Sequence, residues 1–274
     1  MVAVKVDKTV LIQLPDGRAR TPAEVFTAER FDAVLFDLDG VLTSTARIHA
    51  ACWKKMFDEF LRTRSRRTGE PFRPFDLETD YKLYVDGKPR YDGVRSFLAS
   101  REIRLPEGTQ ASSQDEESVC GLGNLKDSLV KEAIHAGRVE TYPRAIDFVR
   151  WIRRRGLRTA VVSSSRNCAE VLRAVHIEEL FDIRLDGVEV DRLRLPGKPA
   201  PDTYVRAAQL LGASPSRAAI LEDAIAGVQA GRAGGFGLVI GVDRGGSAEA
   251  LRQNGADIVV TELDQLIGER EEVR

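Results

Sequence analysis

Ala33-Val34-Leu35-Phe36-Asp37-Leu38-Asp39-Gly40 opens on four apolar residues and breaks on an acid. A short apolar run without polar alternation marks a strand buried on both faces, as in a parallel sheet covered by helices. Four similar runs lie downstream: Thr159-Ala160-Val161-Val162, Ala218-Ala219-Ile220-Leu221, Gly237-Leu238-Val239-Ile240 and Asp257-Ile258-Val259-Val260. Residues 145–155, 169–175, 203–211 and 224–233, which separate or follow them, have helical length and spacing. Strand and helix thus alternate from about residue 139 onward, which predicts an α/β fold with a doubly wound, Rossmann-like parallel sheet.

Residues 47–138 lack such runs and offer helix-like stretches at 50–61, 91–100 and 126–136. This predicts a helical domain inserted after the first core strand, so that residues 30–46 and 139–274 form the α/β core. Residues 1–29 read as an added N-terminal arm, with alternating stretches at 2–6 and 10–14 and a turn at Pro15-Asp16-Gly17. The basic run 62–67 and the polar stretch 110–118 read as solvated loops.

Composition narrows the function. With 41 Lys and Arg against 42 Asp and Glu, no net field favours nucleic acid or an anionic membrane, so recognition has to be local. Three cysteines, Cys52, Cys120 and Cys168, show no metal-ligand spacing, and their odd number argues against a disulfide framework. A reducing cytoplasm fits. No apolar leader and no membrane span is apparent.

The chemistry sits at strand ends, where open α/β sheets bind ligands. Asp37 and Asp39 close the first strand. A pair of this kind alone is more often a turn, but it has company. Ser163, Ser164 and Ser165 follow the second strand, with Asn167 opening the next helix; hydroxyls and free helix N–H groups there suit phosphate oxygens, and equally suit a helix cap. Lys198, between Gly197 and Pro199, precedes another helix. A single lysine is usually solvated, but the flanking prolines limit this loop. Glu222 and Asp223 end a further strand, and paired acids at a buried strand end call for a cation. Hard oxygen ligands select magnesium over zinc. A phosphoryl group arriving there would have its charge offset by Mg2+ and Lys198 while a carboxylate attacks in line.

The ordered set DLDGVLT, VVSSS, GKPAPD and LEDAIAGVQAG, spanning residue 37 to about 231, resembles the haloacid dehalogenase superfamily, and the helical insertion resembles its cap domain. The resemblance implies that Asp37 is the nucleophile and a metal ligand. Asp39 would be the general acid and base and lend its backbone carbonyl to the metal. Ser163 and Lys198 would hold the transferring phosphoryl group, with Ser164 and Asn167 as further phosphate contacts, and Asp223 with Glu222 would complete the magnesium site.

Within the superfamily the sequence is most similar to the β-phosphoglucomutase group. Thr45 and His49 resemble the continuation of its first motif, Gly87-Lys88-Pro89-Arg90 its cap loop, in which an arginine binds a distal phosphate, and Ser165, Arg166 and Asn167 its phosphate contacts. Lys126 resembles a cap lysine. This implies a small phosphorylated sugar as substrate, with glucose 1,6-bisphosphate as an intermediate that turns around between two phosphate sites. The alternative is a sugar-phosphate phosphatase, and from another class a binding protein that keeps the fold without the reaction. Two departures stand out: Lys88-Pro89 replaces the group's apolar residue and serine, and segment 62–80 has no counterpart. Other readings also stay open: a core or hinge histidine for His49, solvated charges for Arg90 and Lys126, and plain packing for Trp53 and Phe57.

Overall fold

The computed structural model describes residues 11–13 and 18–267. A two-stranded antiparallel ribbon, β1 (Ile12–Gln13) and β2 (Ala19–Arg20), leads into the short helix α1 (Pro22–Val25) and then the strand β3 (Ala33–Phe36). Expected strand 2–6 and the turn at 15–17 lie outside the described residues. Ile12, Val25 and Phe26 are fully buried, and the Phe26 ring meets Phe148 edge-on at 5.4 Å. The segment expected as an arm therefore contributes to the core under the sheet.

After β3 the chain makes three helices, α2 (Thr45–Thr68), α3 (Arg90–Ser100) and α4 (Val119–His135), with a π-helical turn at Tyr81–Val85. It then alternates: α5 (Pro143–Arg154), β4 (Arg158–Val162), α6 (Cys168–Ala174), β5 (Ile183–Leu185), α7 (Gly187–Leu193), α8 (Asp202–Leu210), β6 (Ala218–Glu222), α9 (Ile225–Ala233), β7 (Leu238–Val242), α10 (Ala248–Gln253) and β8 (Ile258–Val260).

The six longer-range strands form one parallel sheet in the order β5-β4-β3-β6-β7-β8. From β3 the chain winds outward through β4 and β5, then crosses back to β6 on the other side. β3 thus flanks the point where the winding direction switches, which is where such sheets open a crevice at their carboxyl ends. The apolar run in β3 divides between the two faces: Val34 and Phe36 pack in one cluster with α5 and α6, Ala33 and Leu35 in another with α8.

The helical layer has its own core. Trp53, Phe57, Phe75 and Phe97 stack and tilt on one another, with Phe57 centred 5.3, 5.2 and 4.1 Å from the other three rings. The expectation of packing for Trp53 and Phe57 agrees with this. The expectation of a loop at 62–67 is overturned, because α2 runs on to Thr68 and stops at Gly69 in the left-handed conformation. Arginine is a good helix former, and pairs such as Arg67–Glu117 keep the charges on a helical surface. Among the described residues no helix is long and apolar enough to cross a membrane.

Phe57→Ala should lower the unfolding free energy by about 3 kcal/mol through the cavity it leaves. Urea denaturation followed by Trp53 fluorescence in a Trp151→Phe background measures it. An unshifted midpoint would mean that this aromatic cluster does not hold the helices together.

Candidate active site

Parallel pairing in register sets the site. Phe36 is aligned with Val161 on one side and Leu221 on the other, so the residues that follow β3, β4 and β6 emerge side by side. Lys198, in the loop before α8, reaches in beneath them. Its Nζ donates to Asp37 Oδ1 and Glu222 Oε1, each at 2.5 Å, and to the Val162 carbonyl at 3.3 Å. Tyr204 donates its hydroxyl to Glu222 Oε1 at 2.8 Å, and the Ala224 amide to Oε2 at 3.1 Å. Burial works against the Lys198 ammonium, but Asp37 and Glu222 outweigh it and hold its pKa well above the usual lysine range.

Asp37, Glu222 and Asp223 each bring a carboxylate oxygen within 4.8 Å of the others. Burial pushes the Asp37 carboxyl well up, with Glu222 and Asp39 adding to the effect against Lys198, and burial likewise raises Asp223 beside Asp86 and Asp37. Three crowded hard-oxygen donors, two of them destabilised as anions, fit a divalent cation of the magnesium or calcium kind. Gly40 makes the crowding feasible: its φ is +86°, and a Cβ there would lie 1.7 Å from Asp223 Oδ2.

The Asp39 side chain turns away from that cluster. Its Oδ1 accepts from the Thr45 hydroxyl and lies 3.3 Å from His49 Nε2, and its Oδ2 accepts from Ser163 Oγ at 3.1 Å. His49 Nδ1 in turn is 2.6 Å from Lys126 Nζ, which also sits 4.9 Å over the Trp53 ring. Burial would raise the Asp39 carboxyl, but His49, Thr45 and Lys126 drive it far below the usual range. Lys126, buried, is brought down to about 8. Lys126, 6% exposed, is not a solvated charge.

All the candidate site residues line one cleft between core and helices, except Thr45 and Glu222. Ser163 Oγ also accepts from the Ser165 amide, and Ser165 Oγ from that of Asn167. Ser164 Oγ donates to the Gly87 carbonyl across the cleft at 2.7 Å. Arg166 pairs with Asp191, both on the cleft wall. Arg90 pairs with Asp127 at 3.0 Å and donates to the Tyr91 hydroxyl and Asn124 Oδ1, so it too is placed rather than solvated.

Sequence reasoning missed Asp86, Asp127 and Tyr204. Asp86 lines the cleft, its carboxyl pushed up to about 7 by burial, against the hydrogen bond from Tyr81. It precedes Gly87 and reads in sequence as an ordinary turn residue. Asp127 adjoins Lys126, and Tyr204 lies on α8 six residues past Lys198; only the packing reveals either.

A family described as haloacid dehalogenase-like hydrolase matches residues 31–235. A β-phosphoglucomutase of Mycobacterium bovis is 46% identical over 242 residues, covering 87% of this chain and 92% of its own. A haloacid dehalogenase family hydrolase from Deinococcus radiodurans, solved with bound phosphate and sodium, superposes with a TM-score of 0.58 at 29% identity, covering 86% of this chain and 93% of that one. A β-phosphoglucomutase from Clostridium difficile shares the fold, with a TM-score of 0.65 at 24% identity over 86% of this chain and 93% of that one.

If the acidic cluster holds a divalent cation, Gly40→Ala should weaken that binding at least about tenfold, since the new Cβ must push Asp223 aside. Isothermal titration with MgCl2 checks this; an affinity equal to that of the unaltered chain would remove Asp223 from the cation site.

Proposed function

Because the chain belongs to the haloacid dehalogenase-like hydrolase family, we propose that it is a magnesium-dependent phosphotransferase for a small phosphorylated sugar, a β-phosphoglucomutase converting β-D-glucose 1-phosphate to glucose 6-phosphate. The observation that carries this reading is the cleft itself: buried Asp37 with its cation donors on the core side faces Arg90 on the helical side. The 46% identical relative of that name supports it.

In this reading the Asp37 carboxylate attacks phosphorus, the bond from phosphorus to the leaving oxygen breaks, and an aspartyl phosphate forms. Asp37, Glu222 and Asp223, with the Asp39 carbonyl, would hold Mg2+, which when bound offsets the charge of the transferring phosphoryl group. Lys198 and Ser163 bind that group's oxygens. Asp39, kept ionised by His49, Thr45 and Lys126, takes the proton from the attacking sugar hydroxyl and returns it to the oxygen of the departing group. Glucose 1,6-bisphosphate then turns around, its second phosphate resting among Arg90, Ser165, Arg166 and Asn167.

Residues 47–138 serve as a cap over this chemistry. The chain leaves and re-enters the core side by side, with Thr43 bridging to Thr141 and the Ser44 amide donating to the Glu140 carbonyl at 2.9 Å. Hinges near Thr45 and Val139 let the cap open for sugar and shut out water. Water excluded in this way favours a mutase over a phosphatase. The free, buried Cys52, Cys120 and Cys168 support a cytoplasmic setting.

Given β-glucose 1-phosphate, magnesium and a trace of glucose 1,6-bisphosphate, the protein should produce glucose 6-phosphate with little inorganic phosphate. Release of phosphate without glucose 6-phosphate would put the sugar-phosphate phosphatase in its place. Asp37→Asn should cut turnover by about a thousandfold or more, and chelation of magnesium should stop it reversibly.

A further inference from the structure

Asp127, on α4, has a carboxylate that joins both sides of the cleft. Its Oδ2 accepts from Arg90 and from Lys131, each at 3.0 Å, and its Oδ1 accepts from Asn167 Nδ2, also at 3.0 Å. Arg90 comes from the helical side and Asn167 from the core side, where it opens α6. These are the groups that the preceding reading gives to the distal phosphate, and here both are engaged by one carboxylate.

The arrangement is built rather than incidental. The Tyr91 hydroxyl and Asn124 Oδ1 accept from the far nitrogen of Arg90 at 2.7 and 3.0 Å and orient the guanidinium. Its Nε is buried without a partner, leaving a donor in reserve. Burial would raise the Asp127 carboxyl, but Lys131 and Arg90 hold it below the usual range, so it is an anion at neutral pH. Carboxylate and phosphate make the same demand on a guanidinium and an amide N–H. Two anions cannot share those donors closely without repulsion.

We infer that Asp127 is a specificity-determining residue whose carboxylate stands in for the distal phosphate, holding Arg90 and Asn167 until that phosphate displaces it. The inference rests on the sugar-phosphate reading above. A dianionic phosphate outcompetes the single carboxylate charge, whereas a neutral hydroxyl does not, so the site discriminates by charge. Displacement lowers affinity for the phosphorylated sugar, and the returning carboxylate hastens its departure.

Glucose 6-phosphate titrated calorimetrically into the full-length chain, with magnesium and without bisphosphate, tests this. Asp127→Asn should bind about tenfold more tightly than the unaltered chain, while Asp127→Glu, which keeps the charge, should stay within about threefold of it. Equal or weaker binding by Asp127→Asn overturns the inference, because Asp127 would then be positioning Arg90 and not competing for it. Should Asp127→Asn fail to fold, as judged by its melting curve, Asp127→Ser carries the same comparison. Absence of glucose 6-phosphate binding in the unaltered chain would instead remove the sugar-phosphate reading, and the inference with it.

Discussion

The fold and the chemistry meet at the Lys198 ammonium, lodged between the carboxylates of Asp37 and Glu222. Burying three ionic groups is costly unless each is paired and hydrogen-bonded. Here the requirement is met only because β3 and β6 are neighbours in register, so that one nitrogen reaches the ends of both. A slip of one residue would send the acids to opposite faces of the sheet. The Tyr204 hydroxyl and the Ala224 amide fill the remaining acceptor capacity of Glu222, and the Tyr204 ring lies 4.8 Å beneath the ammonium. The parallel sheet is therefore a positioning device for charge as much as a hydrophobic core.

The helices answer that charge from the other side. Carboxylates dominate the core wall of the cleft, while His49, Arg90 and Lys126 project from the helical wall. Complementarity of this kind draws the two walls together and orients an anionic ligand between them. Asp86 and Asp127 run against the pattern: Asp127 pairs with Arg90, and Asp86 brings a further acid toward Asp223 and Glu222. Burial pushes the Asp86 carboxyl up to about 7.

Much of this was legible in the sequence, for a physical reason. A strand covered on both faces has no polar alternation, so 33–36, 159–162, 218–221, 237–240 and 257–260 announce themselves, and parallel strands bring whatever follows them to one edge. That is why Asp37, Ser163, Glu222 and Asp223 group together in the sequence itself, with Lys198 added from its proline-flanked loop. β5 carried no such mark: it is a three-residue edge strand with Arg184 at its centre. α7 and α10, of seven and six residues, are too short for periodicity to speak. The run at 62–67 misled because a charged helical face and a charged loop have the same composition. Asp86 and Asp127 were hidden for a different reason, since what distinguishes them is the facing wall, and the facing wall is far away in the chain.

The bridge between Thr43 and Thr141 has a consequence for how such a molecule can vary. Neighbouring strands lie roughly 5 Å apart, so everything between these two threonines begins and ends at almost the same spot. The intervening polypeptide is a parenthesis: it can grow or shrink without altering the spacing that the sheet feels. Segment 62–80, whose first residues simply lengthen α2, lies within this parenthesis, and the order of β3 and β4 does not depend on it. Lineages built on this plan are free to rewrite what they recognise while leaving untouched how they react.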